Sequence, residues 1–257
     1  MSFEEFNQDI EAHGGYIYTS NNKLSSITAA ARQTETLLDL GNYRDKTVID
    51  IGCGDGICTV ELFDRGRPAS IHGIDAAAKA VENARKRVGD RAITFSVGSA
   101  YDLPFPENSF DIAQMRAILH HLDDPADALR EALRVAPVVV VLEPNGYNPV
   151  LKVLEKVHPY HRAHHEKSYA PHRIDRWVRR HGGEVSDRRL IGIVPYFCPD
   201  WMVRLLKKIE PLAEKTVLVN TFGCAHYVFR AARRQAFRLA DAPAFVSSAQ
   251  PAEPTVR

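Results

Sequence analysis

The stretch VIDIGCGDGICTVEL, residues 48–62, constrains this chain more than any other. An apolar, β-branched run ends in glycines at every second position, Gly52, Gly54 and Gly56, and a helical pattern follows. Glycine carries no Cβ, so such a turn can be tight and can bring its backbone against a ligand. A strand, a glycine turn and a helix in that order open an α/β unit whose helix N-terminus faces whatever the turn holds. The spacing narrows the choice. A phosphate loop needs GxxxxGK and then Ser or Thr, and no such lysine follows. The dinucleotide fingerprint is GxGxxG, whereas this turn reads GxGxG with Asp50 two residues before the first glycine.

The following hundred or so residues repeat the theme. TVIDIG, SIHGID, AITFSVG, FDIAQMR and PVVVVLEP read as strands, and DGICTVELFDRG, AAAKAVENARKRVG (to Gly89) and DDPADALREALRVA as helices between them. Asp124 is a candidate N-cap with Pro125 at the first helical position. The unbroken valines of PVVVVLEP suit a strand covered on both faces. Such alternation predicts a doubly wound α/β fold around a parallel sheet. After Pro144 the rhythm changes. A histidine- and tyrosine-rich segment without strand signal is followed by the helix HRIDRWVRRHGG, a strand in EVSDRRLIGIVPYF, the amphipathic helix DWMVRLLKKIEPLAEK and a last strand in TFGCAHYVFRA. Three regions result: an N-terminal lid and helix at 1–45, a main domain at 46–236 with cap insertions at about 145–170 and 195–221, and a tail at 237–257 rich in Ala, Pro and Ser, expected to be flexible.

Composition excludes several classes. With 257 residues, 45% hydrophobic and 25% charged, the chain is an ordinary globular one, and a net charge of +1 provides no field for nucleic acid. Cys53, Cys58, Cys198 and Cys224 are scattered, without the CxxC pairs of a zinc site or the framework of a disulfide scaffold. The start, MSFEEFNQDIEAHGG, is acidic where a secretory leader is basic, and VAPVVVVLEP is too short to cross a bilayer, so a cytoplasmic setting is expected.

DIGCGDG resembles motif I of the class I S-adenosylmethionine-dependent methyltransferases. Asp75 ends the second strand, where a carboxylate can accept from both ribose hydroxyls, a device that NAD-binding folds share. The segment VGSAYDLPFPENSFDIAQMRAILHHLDDP is similar over its length to the pattern GDAxxLPFxDxSFDxVxxxxxLHHxxDP of the type 11 small-molecule subfamily, which dinucleotide-binding proteins do not carry. The resemblance spans residues 46–144. It implies a Rossmann-like sheet of seven strands, mostly parallel with an antiparallel last strand and helices on both faces. It also implies S-adenosylmethionine as cofactor, held by Asp50, Gly52, Cys53, Gly54, Gly56, Asp75, Ala76, Ser99, Ala100, Met115 and Arg116. Ser99 departs from the pattern, since the family places an aspartate there for the adenine amino group.

The implied reaction is methyl transfer to a small-molecule acceptor, with a hydroxyl oxygen the first choice because histidines are at hand as bases. His121 leads the candidates, followed by His120 of the same LHH segment, which the resemblance puts near the methyl donor. His161 and His165 in the cap are further candidates. On a helix they share a face with His164, a spacing able to hold a metal, but only Glu166 adds an acid nearby and no metal is expected. Arginines of HRIDRWVRRHGG fit the wet face of a helix that turns Ile174, Trp177 and Val178 inward, or else an acidic substrate. The helix at 200–215 fits packing on the sheet or at a dimer interface, and equally a lipid-like substrate or a membrane surface. The partners expected are thus a small acceptor, acidic or lipid-like, no nucleic acid, and at most a second copy of the chain. The alternative is an NAD-dependent oxidoreductase or a cofactor-binding member of the fold without catalysis.

Overall fold

The computed structural model describes residues 23–157, 167–196 and 198–234. The chain begins there with α1 (Leu24–Gly41) and then alternates: β1 (Thr47–Ile51), α2 (Ile57–Gly66), β2 (Ser70–Asp75), α3 (Ala78–Arg85), β3 (Ile93–Val97) and β4 (Ile112–Arg116). A short 3-10 turn at Leu119–His121 leads into α4 (Pro125–Val135) and β5 (Val138–Pro144). The second half contributes α5 (Pro149–Val157), α6 (Pro171–Arg180), β6 (Gly183–Ile191), α7 (Asp200–Lys215), α8 (Val217–Gly223) and β7 (His226–Arg233).

The seven strands form one sheet in the order β3-β2-β1-β4-β5-β7-β6. The pairs β1–β2, β2–β3, β1–β4 and β4–β5 are parallel, while β7 runs antiparallel to both its neighbours. Strand order reverses between β1 and β4, and ligands of such sheets sit at that switch, outside the carboxyl ends of the strands. Register brings more of the chain to this edge. Pro144 at the end of β5 pairs with His226 at the start of β7, and His226 pairs with Ile191 at the end of β6. The first residue of an antiparallel strand thereby reaches the carboxyl edge, as do both ends of the long β6–β7 connection.

The valine run of β5 explains why the sheet is buried on both sides. Val139 and Val141 join one apolar cluster with Leu129 and Leu133 of α4 and Ile174 and Trp177 of α6. Val140 and Leu142 join the other, with Leu37 of α1, Leu62 of α2 and Val81 of α3. Of the helix expected to reach Gly89, α3 ends at Arg85. Beyond it Lys86 and Arg87 turn back onto the carbonyls of Asn83 and Ala84, Arg87 donates to the Asp55 carbonyl, and Gly89 takes a left-handed φ of 56° into β3. Helices α5 and α8 were not foreseen. α5 lies within the segment at 145–170, while α8 runs on to Gly223 through the TFG expected to open the last strand, which instead begins at His226.

Gly56 combines two demands. It is the N-cap of α2 at φ 78°, and a Cβ there would lie 2.8 Å from Ala84 Cβ. Gly56→Ala adds left-handed strain to a clash with α3, so urea unfolding should show a loss of about 2–4 kcal/mol. A loss below about 0.5 kcal/mol would mean that the turn can relax around a side chain.

Candidate functional site

The glycine turn occupies the switch point. Gly52, Gly54 and Gly56 all have left-handed φ, of 77°, 55° and 78°. Gly52 and Cys53 donate their N–H groups to Ile74 O at 2.8 and 3.2 Å, which lashes the turn to the end of β2. Asp75 completes the lashing: Oδ2 accepts from Gly54 N at 2.8 Å, and Oδ1 accepts from Ala77 N at 2.9 Å. One carboxylate thus ties together the turn and the start of the next helix. The following chain stays close, because Gly98 N donates to Asp75 O at 2.9 Å, one residue before Ser99. Ser99 is exposed, its hydroxyl accepting from Tyr101 N at 3.1 Å, and Ala100 is half-buried beside it.

Asp50 lies beneath the turn, buried, with Oδ2 accepting from Thr59 Oγ1 at 2.6 Å and Oδ1 facing Gln114 Nε2 at 3.4 Å. Tyr43 in turn donates to Gln114 Oε1 at 2.7 Å. Asp50 therefore braces α2 against β1 and β4 from below. Asp55 is buried within the turn itself and meets Arg87 at 3.5 Å. Burial pushes the carboxyls of Asp50, Asp55 and Asp75 all upward. Asp75 adds to the shift of Asp50, and Asp55 to that of Asp75. The thiol of buried Cys53, among the same three, is pushed well above its ordinary range by burial first and by these carboxylates next. Burial is the main cause of each carboxyl shift, and Arg116 near Asp50 and Arg87 near Asp55 offset part of it; the smaller like-charge part is what a cation placed at the turn would relieve. A pyrophosphate would meet the opposite situation.

Next along the edge, β4 ends with buried Met115 and half-buried Arg116, and Ala117 follows at a left-handed φ of 56°. That bend turns three consecutive N–H groups onto one side chain. Glu143, buried at the end of β5, accepts from Ile118 N, Leu119 N and His120 N at 2.8, 2.7 and 3.2 Å, and from His120 Nδ1 at 2.8 Å. Since a carboxylate only accepts, Nδ1 carries the proton and the tautomer of His120 is fixed. His120 is buried; His121 is half-buried, with its ring centroid 4.0 Å from that of His120.

A second polar cluster, only partly visible from sequence, stands beside these. Arg116 donates to Thr34 Oγ1 at 3.0 Å and to Gln33 Oε1 at 2.9 Å, both on α1. Because a guanidinium only donates, the Gln33 amide is oriented, and its NH₂ points to Tyr196 Oη at 2.5 Å and to His226 Nε2 at 3.0 Å. His226 Nε2 is then an acceptor and the ring is neutral. Its pKa agrees, pushed down to about 4 by burial, with Arg116 and His120 adding to the shift. Sequence reading singled out Arg116, but neither Gln33 nor His226. The missing signal for His226 was strand direction: only the antiparallel run of β7 brings its first residue to this edge.

His161 and His165 lie outside the described residues. Among the described residues no group of three or more His, Cys, Asp or Glu side chains is placed to hold a metal ion. A cleft of about 880 Å³ opens along β6, α6 and α7. Arg32–Glu214, Arg188–Asp175 and Lys207–Glu210 already pair along its walls, and the glycine turn does not line it.

Residues 49–147 match the family model described as a methyltransferase domain. Among curated proteins the chain is similar to the 27-O-demethylrifamycin SV methyltransferase of Amycolatopsis mediterranei, 32% identical over 48% of this chain and 46% of that one. The chain spans about a quarter to a half of the length of the curated relatives it matches. Among solved structures it resembles an S-adenosylmethionine-dependent methyltransferase from Thermotoga maritima, with TM-score 0.61, 17% identity and coverage of 90% of this chain and 95% of that one. It also resembles the cyclase SpnF, with TM-score 0.65, 20% identity and coverage of 91% and 97%. At such identities the structural likeness shows the fold, and the fold hosts more than one chemistry.

The neutral state of His226 has a consequence for stability. Its folded pKa of about 4 lies below the ordinary 6.5, so between these values the unfolded chain binds the extra proton. That contribution is intact above pH 6.5 and is lost as pH falls toward 4, amounting to about 3 kcal/mol. His226→Gln keeps an acceptor for Gln33, so its stability should fall less over this window in pH-dependent denaturation; parallel curves would contradict a buried neutral imidazole.

Proposed function

We propose that this chain, a class I S-adenosylmethionine-dependent methyltransferase through its domain at residues 49–147, transfers a methyl group to a hydroxyl oxygen of a small organic acceptor. One observation carries the reading: Asp50, Asp55 and Asp75 crowd negative charge around the glycine turn. That environment suits a cofactor bearing a sulfonium and an ammonium, and opposes the pyrophosphate of a dinucleotide. When bound, S-adenosylmethionine supplies an electrophilic methyl group on its sulfonium, so the protein's share is to bind, orient and exclude water.

The chain's own residues divide that work. Asp75 keeps lone pairs beyond those given to Gly54 and Ala77, and these serve ribose hydroxyls. The backbones of Gly52, Cys53 and Gly54 form the cradle, with Ala76 beside it, and Asp50 holds its floor rigid through Thr59. Ser99 and Ala100 stand where an adenine edge would lie, one residue past the tie from Gly98 to Asp75. Met115 and Arg116 close the far side. Holding a hydroxyl in line with the methyl carbon is worth several kcal/mol in avoided entropy loss, on the order of 7 at the favourable end.

His121 accepts the hydroxyl proton, and His120 positions it. Glu143 fixes His120 and the three N–H groups of the turn, so His121 is presented from a rigid base on the less buried side of the pair. The oxygen named in the rifamycin relative is consistent with an O-acceptor. A second reading, a cofactor-binding member that does other chemistry, draws support from the likeness to a cyclase.

Labelled S-adenosylmethionine incubated with hydroxylated acceptors, followed by product analysis, tests the reading. His121→Ala should lower turnover roughly a hundredfold with cofactor affinity unchanged. Equal loss of turnover and affinity would make His121 structural, and label appearing on nitrogen or carbon would refute the hydroxyl acceptor.

A further inference from the structure

Among the described residues, helices α7 and α8 leave a large apolar surface uncovered. Eight of their large hydrophobic side chains are between 44 and 74% exposed. On α7 the buried face is Val203, Glu210 and Ala213, while Trp201, Leu205, Ile209 and Leu212 form one stripe on the opposite side. α5 adds a second exposed stripe, of valines spaced three and four apart. The helices adjoin, because Asn148 at the head of α5 donates to Gly223 O and Cys224 O at the end of α8. An exposed patch of this size on a folded chain marks a docking surface.

Charge identifies the occupant. Arg204, Lys208 and Lys215 recur at helical spacing and form a row along one border of the Trp201 stripe. None of the three has an ion-pair partner among the described residues. Of the acids of α7, Glu210 is turned inward to Ile193 N and Lys207, and Glu214 to Arg32; exposed Asp200, one turn before Arg204, offsets one charge and leaves the row net positive. A second copy seated symmetrically on this face would set the basic row against itself. An anionic bilayer surface satisfies both features, taking the apolar stripe with its tryptophan into the interface and pairing the bases with headgroups.

We propose that the α7–α8 face docks the protein on an anionic lipid surface. The placement adds to this. α7 and α8 fill the connection from Ile191 to His226, both at the carboxyl edge of the sheet, and Ala225 N donates to Gly192 O at 2.7 Å to close its neck. The face is thus carried by a connection that leaves and re-enters the sheet at its carboxyl edge, the same edge that carries the glycine turn. This docking stands independently of the methyl-transfer reading.

Co-sedimentation of the full chain with phosphatidylcholine vesicles, with and without roughly 30% phosphatidylglycerol, tests it. The chain has two tryptophans, and Trp177 is buried, so a change in emission reports Trp201. Wild type should sediment with the anionic vesicles only, with a blue shift. Arg204→Glu/Lys208→Glu/Lys215→Glu should weaken partitioning on the order of a hundredfold. Trp201→Ser/Leu205→Ser should do likewise, and circular dichroism should confirm that both variants are folded. Absence of sedimentation at low salt, equal partitioning onto neutral vesicles, or partitioning that survives both variants overturns the proposal. So does Trp201 emission already shifted without lipid, which would mean that a second copy or another part of this chain covers the face.

Discussion

Asp75 is the point on which the site depends. Its two oxygens hold Gly54 N and Ala77 N, joining the glycine turn to the end of β2 and the start of α3. Three of the turn's five residues have no side chain with which to hold its shape, and these left-handed glycines are costly to fix. The tie from Asp75, with the Ile74 carbonyl beside it, supplies the order that glycine withholds. Keeping a carboxylate half-buried there works against desolvation, and Asp55 raises the cost further. Each of the three acids holds a part of the fold, and the like-charge cost that their closeness adds is one that a cationic ligand would offset.

The same economy recurs across the edge. Glu143 gathers His120 and three backbone N–H groups, and Arg116 orients Gln33, which sets the tautomer of His226. Each charged side chain fixes the direction of a neighbouring polar group. The edge is thus preorganised: a neutral histidine, a carboxylate-bound histidine and a rigid turn stand along one line of strand ends. Rigidity of this kind suits the proposed methyl transfer, in which the cofactor would bring the reactive group.

Much of this was legible in the residues. The valine run of β5, the glycine spacing and the capped start of α4 each reflect a local requirement, and each forms as expected, with Asp124 accepting from Ala126 N and Asp127 N. The LPFPENSF block that carried much of the resemblance does its visible work as a strap. Leu103 and Phe105 give their carbonyls to Arg134, and Leu103 N donates to Glu131. Its pattern therefore reports packing as much as ligand contact. What sequence could not supply was long-range register. Gln33 and His226 are 193 positions apart, and nothing local in either predicts that they touch. The cap helices escaped for the opposite reason: α8 turns its apolar residues outward, where an argument from core burial finds no partner for them.

The claim that the turn cradles a cation is tested most directly by thermal unfolding with S-adenosylmethionine, S-adenosylhomocysteine and NAD in parallel. A carboxylate-crowded cradle requires that S-adenosylmethionine raise the melting temperature, that NAD leave it unchanged, and that Asp75→Ala remove the effect. A shift with NAD, or none with either S-adenosyl compound, would contradict it.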